Sequence, residues 1–165
     1  MTRRHSAGMR ARTGDLDPSE QKLLDDVAEF GVHVVHVPED DEGPGYSFTV
    51  GLWHSFEQPE IVVFGLDQDI AHDVLNAIAD EAAEERKYLA DTRHDDVLIG
   101  YPVRFLGVPK QRHDDVLGAA VWAYDGADFP AVQLVWPDKQ GRWPWEPGVR
   151  EGFAEAQPVL GRQAP

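Results

Sequence analysis

Residues 46–64 read YSFTVGLWHSFEQPEIVVF. The aromatic and β-branched run YSFTVGL (46–52) reads as a strand. IVVF (61–64) has no polar member, which marks a strand covered on both faces. The link between them is of hairpin length, and a helical pattern follows directly. In that helix Ile70, Ala71, Val74, Leu75, Ile78, Ala79 and Ala82 form one unbroken stripe, with Asp67 as its N-cap. Strands joined by short links and interrupted irregularly by helices favour an α+β architecture over a doubly wound sheet.

The same reading extends in both directions. Upstream, Asp17-Pro18-Ser19-Glu20 offers an N-cap acid, proline at the first helical position and a glutamate three residues after the cap. Leu23, Leu24, Val27 and Phe30 mark one helical face, and Gly31 closes it. VHVVHV (32–37) reads as a strand, and PEDDEGPG (38–45) as an acidic loop. Downstream, VLIG (97–100) and YPVRFLGV (101–108) read as strands. HDDVLGAAVWAY (113–124) has helical spacing, AVQLVW (131–136) is a further strand, and short proline-broken segments end the chain. The expected fold is a single α+β domain over residues 17–165. Its sheet is mainly antiparallel, with a barrel-like form allowed, and carries two to three packed helices. MTRRHSAGMRARTG lacks hydrophobic period, so residues 1–16 read as a flexible basic tail.

Composition narrows the function classes. The 165 residues carry 15 basic and 30 acidic side chains, a net charge of −15. Four arginines lie in the first 16 residues, so the remainder is more acidic still. Such a body repels phosphate backbones, which excludes nucleic acid as a partner. No apolar run approaches the ~20 residues of a membrane span, and the charged N-terminus lacks the apolar segment of a secretory signal. The absence of cysteine removes disulfides, thiolate metal sites and thiol nucleophiles, and points to the cytoplasm.

Few residues offer chemistry. His33 and His36, three apart on one strand, face opposite ways and cannot share a ligand. His72 sits at the margin of the apolar stripe, and His94 and His113, each before two aspartates, read as solvated. No recognised metal spacing occurs. Neither a Rossmann nor a P-loop glycine pattern is present, so no cofactor follows from the sequence. His54, beyond the strand in WHSFEQPE, has Ser55, Glu57 and Glu60 nearby. It reads as a loop cap or as a tunable acid–base group. Ser47 and Ser55 lack the elbow that activates a serine.

Aromatic residues are the remaining signal. QLVWPDKQGRWPWEPG (133–148) holds Trp136, Trp143 and Trp145, three of the five tryptophans. Tyr46, Phe48, Trp53 and Phe56 form another group. Core packing is the plain reading of such indoles. The alternative is a pocket wall formed by Trp136 and Trp143, with Thr49, His54, Gln133 and Asp138 as polar contacts. That pocket requires AVQLVW to lie against YSFTVGL.

The order YSFTVGL, QPEIVVFGL, VLNAIADE, QLVWPDKQGRWPWEPG and QPVLG resembles the bacterial domain-of-unknown-function family numbered 4262, over about residues 20–161. The resemblance implies a small bacterial cytoplasmic α+β domain. It supplies no activity, cofactor or catalytic residue. Three functional readings stand at this point. The first is a non-catalytic module binding a small molecule or a protein. The second is an enzyme, or an inactive relative, on a flavin-binding split-barrel-like scaffold. The third is an acidic immunity-like or regulatory protein binding a basic partner. No oligomeric state is implied.

Overall fold

The capping box at Asp17 forms as read. The Asp17 carboxylate accepts from the Glu20 N–H at 2.8 Å, and the Glu20 carboxylate accepts from the Asp17 N–H at 3.1 Å. Helix α1 (Pro18–Phe30) ends where Gly31 turns to φ 88°. The computed structural model describes residue 9 and residues 14–161. The expected basic tail therefore lies mostly outside the described residues. Strands β1 (His33–Val37) and β2 (Tyr46–Val50) follow, and then the first departure from expectation. YSFTVGL does not remain a strand to residue 52. Gly51 takes φ 109° and starts a short helix, α2 (Leu52–Phe56), so His54 lies on a helix and not in a loop. Strand β3 (Glu60–Phe64) leads into α3 (Gln68–Ala83).

Strand β4 (Thr92–Leu98) begins earlier than VLIG, and Ile99-Gly100 form the hairpin turn to β5 (Tyr101–Gly107). The expected helix over 113–124 breaks at Leu117 (φ −116°, ψ 43°) into α4 (His113–Val116) and α5 (Gly118–Tyr124). Strand β6 (Ala131–Val135) and the short α6 (Phe153–Ala156) complete the described chain.

All six strands join one open sheet in the order β1-β2-β3-β6-β5-β4. Every pairing is antiparallel except β3 with β6, which run parallel from Glu60 beside Ala131. The sheet does not close into a barrel, which removes the scaffold behind the flavin-enzyme reading. Strand β6 is separated from β2 by β3, so the pairing that would have joined the two aromatic groups does not occur.

Helices cover both faces. On one side α3 buries its stripe against Ile61, Val63, Val103, Phe105 and Leu134. On the other, α1 and α5 pack on Phe48, Val50, Val62 and Phe64. The central β3 is buried along its whole length, as the apolar run IVVF (61–64) requires. The two strand histidines part as expected. His33 meets Asp26 of α1 at 2.8 Å, while His36 meets the Ser47 hydroxyl at 2.7 Å and lies beside His72 of α3.

Two histidines read as solvated are not. His94 packs its ring against Tyr88 and Phe105, and His113 is 1% exposed, stacked on Phe129. His113 Nδ1 lies 3.1 Å from the Ala127 carbonyl, which only accepts, so Nδ1 carries the proton and Nε2 is left buried without a partner. Burial pushes the imidazole below its ordinary 6.5, and the carbonyls of Ala127 and Val108 oppose this only in part. His36 and His94 shift in the same direction, burial again leading. A histidine held neutral by the fold binds its proton more readily once unfolded. The unfolding free energy therefore falls as pH drops below 6.5. In urea titrations compared across that range, His113→Phe is expected to show a shallower loss than the parent chain. The comparison with the parent cancels any contribution from other groups, and equal slopes would refute a neutral buried His113.

Candidate functional site

Polar groups concentrate at a buried carboxylate and at the rim of a cleft. The first begins with Gly51, whose left-handed backbone swings the chain out of β2. A Cβ there would stand 2.8 Å from a Val27 methyl and 3.0 Å from the Gly31 carbonyl, so the position admits only glycine. The turn aims the N–H groups of residues 51–53 at one point, the unsatisfied donors of a helix start. Glu60, at the head of β3 and 0% exposed, fills that point. Its carboxylate accepts from the Gly51, Leu52 and Trp53 N–H groups at 3.0, 3.2 and 3.2 Å. The Thr49 hydroxyl donates to it at 2.7 Å and the Tyr124 hydroxyl at 2.5 Å.

Burial pushes the Glu60 carboxyl above its usual range, and the Tyr124, Thr49, Trp53 and Gly51 donors oppose this only in part. Five donors leave no lone pair for a proton, so the geometry accommodates the carboxylate. Burial and the adjacent Glu60 charge push the Tyr124 phenol far up, so it remains a donor. The Tyr124 oxygen also accepts the His54 N–H at 3.0 Å. A carboxylate enclosed and saturated in this way has no contact left for a substrate. Its role is structural.

The cleft lies at the far end of the same strands. Because β3 and β6 run parallel, the segments leaving them emerge side by side, and crevices beyond such carboxyl ends are where open sheets bind ligands. Here Leu66 follows β3 and Trp136–Gln140 follows β6. Helix α3, the β4–β5 hairpin tip and the segment leading into α6 form the remaining walls of a cleft of about 870 Å³. Ile70 heads the α3 stripe yet is 50% exposed, and Ile99 at the hairpin tip is 99% exposed; both line the cleft. Trp136 fixes its wall by donating its indole N–H to the Phe64 carbonyl at 2.9 Å and standing edge-on to Phe153. Asp138 closes the adjoining loop, accepting from the Gln140 and Arg142 N–H groups and from Arg142 Nε. Burial works to raise the Asp138 carboxyl, but its contacts with Arg142 prevail and hold it low.

Of the six residues singled out in the sequence, Trp136 and Asp138 meet at this cleft. The other four lie elsewhere. Thr49 belongs to the Glu60 network. The His54 ring faces the start of the described chain, where Nδ1 accepts the Met9 N–H at 3.0 Å. Gln133 is fully buried, donating to the Pro158 carbonyl and accepting from the Leu160 N–H. Trp143 is buried against Leu106 and Val135 and stacked on Trp145, with the Arg104 guanidinium over both rings. Sequence reasoning missed Ile99, Lys139 and Arg150. The one available signal was Ile99, an apolar residue in a turn. A second, polar cleft borders the acidic loop 39–42. Among the described residues no group of three His, Cys, Asp or Glu side chains could hold a metal ion, and no helix is long and apolar enough to cross a membrane.

Fold and site together define an open-sheet α+β domain with an apolar cleft beyond its parallel strand pair. The chain matches the family model described as domain of unknown function DUF4262 over residues 26–150, and it belongs to that family. The matched span contains the Glu60 network and all the cleft residues named above except Phe153. No curated protein and no solved structure matches the chain.

Glu60→Gln turns an amide N–H₂ toward the backbone N–H groups of residues 51–53, which cannot accept. The variant is expected to lose about 3–5 kcal/mol of unfolding free energy in urea, the usual cost of breaking a buried charged network. A loss below about 1 kcal/mol, the range of an ordinary surface change, would show the network to be dispensable.

Proposed function

We propose that this protein is a non-catalytic binding module whose cleft takes a small, largely apolar molecule. The observation that carries this reading is the cleft itself. Its volume of about 870 Å³ falls within the roughly 300–1,000 Å³ of small-molecule sites, and its lining is mainly apolar with a few polar groups, the usual composition of such sites. Trp136, Ile70 and Ile99 supply the apolar contact surface. Neither histidine, serine nor threonine lines it, and the Asp138 carboxylate is already engaged, so binding is favoured over catalysis. The apolar lining also favours a small molecule over a basic protein partner. A cysteine-free acidic chain suits a cytoplasmic setting.

The test is titration with N-phenyl-1-naphthylamine, a neutral apolar dye that brightens when it leaves water. Saturable uptake is expected with the parent chain. Ala77→Trp places an indole on the α3 wall at an exposed position, and is expected to weaken uptake about tenfold, or 1.4 kcal/mol, without changing the melting temperature. No saturable uptake, or uptake indifferent to this substitution, rules the cleft out.

A further inference from the structure

Ten lysines and arginines fall among the described residues. Six of them pair with carboxylates, Arg142 with Asp138 and Arg86 with Asp96 among them. Lys87 donates to the Phe56 carbonyl, and Arg104 lies over Trp143 and Trp145. Only Lys139 and Arg150 have no partner among the described residues, and both line the apolar cleft. In a chain with twice as many acids as bases, an unpaired cation is the exception. The two come from separate segments, Lys139 from the loop after β6 and Arg150 from just before α6, so the fold rather than the local sequence brings them to one rim.

We infer that the cleft's ligand is an amphipathic anion, its apolar body against Trp136, Ile70 and Ile99 and its acidic head group between Lys139 and Arg150. This rests on the reading of the cleft given above. A lysine ammonium and a forked guanidinium both suit the oxygens of a carboxylate or phosphate. Ile99, almost wholly exposed at the hairpin tip, gains through the ligand body an apolar contact that the protein does not give it. Asp73, on the α3 wall of the same cleft, disfavours an anion beside it and so favours the head group at Lys139 and Arg150. The net charge of −15 attracts cations over the whole surface. Preference for an anion can therefore arise only from a local arrangement.

Displacement of bound N-phenyl-1-naphthylamine tests this, at low salt and below micelle formation, with decanoate, decyl phosphate, decanol and decyltrimethylammonium. The two anions are expected to displace the dye at about tenfold lower concentration than decanol, and their order identifies the head group. The double variant Lys139→Ala, Arg150→Ala is expected to lose that preference, each displacing concentration being referred to the variant's own affinity for the dye. Asp73→Asn is expected to sharpen it. Equal displacement by decanol, stronger displacement by the cation, or an anion preference that survives in the double variant would overturn the inference while leaving the apolar cleft intact. Failure of the dye to bind the parent chain would overturn both.

Discussion

Five hydrogen bonds converge on the Glu60 carboxylate, and the geometry of the molecule follows from that convergence. They join the end of β2, the first turn of α2, the head of β3 and the end of α5. A buried charge is tolerable only when its lone pairs are taken, so the turn at Gly51 and the position of Tyr124 are fixed together. Glu60 also starts the β3–β6 pairing, its N–H donating to the Pro130 carbonyl at 3.0 Å. With the heads of the two parallel strands level, their tails leave the sheet level, and the cleft opens between the segments that follow. The structural carboxylate at one end of β3 thus sets the geometry of the cleft at the other.

Three glutamines perform a related task for segments that have no strand to pair with. Gln58 donates to the Tyr88 carbonyl and accepts the Tyr88 N–H, both at 2.7 Å. Gln157 makes the same two-way clamp on Trp136 at 2.9 and 2.8 Å, and Gln133 clamps residues 158 and 160. A side-chain amide has one donor face and one acceptor face, as a peptide does, so it satisfies buried backbone where no ladder reaches. These clamps tie the segment after α3 and the chain's final stretch to the sheet. The Gln157 clamp also holds the backbone of Trp136, and with it one wall of the cleft.

The tryptophan-rich segment shows how one composition can serve two ends. Trp143 and Trp145 stack with Arg104 above them and close the sheet face opposite α3, which is core packing. Trp136, seven residues before Trp143, has its indole N–H tied to Phe64 and leaves part of its ring open to the cleft. Pro137 follows Trp136 directly, and Pro144 separates Trp143 from Trp145. Only the direction of each side chain relative to β6 separates the roles.

What the sequence determined by itself are the features set by local rules. The capping box at Asp17, the apolar stripe of α3, the doubly buried run of β3 and the opposed faces of His33 and His36 depend on spacing along a single element, and each was legible. What only the tertiary structure decided depends on residues distant in the chain. Neither the partner of β6 nor the parallel β3–β6 pair has a local signature, so the expected neighbourhood of Thr49, His54, Gln133 and Trp143 with the cleft did not form. The packing of His94 against Tyr88 and Phe105 and the burial of His113 likewise came from tertiary contacts that their acidic neighbours concealed. Gly51 ended β2 because an acid nine residues later required donors, and Lys139 and Arg150 line one cleft because the chain that leaves β6 comes back to it just before α6. Hydrophobic period specifies elements, whereas a buried charge and its donors specify how those elements are assembled.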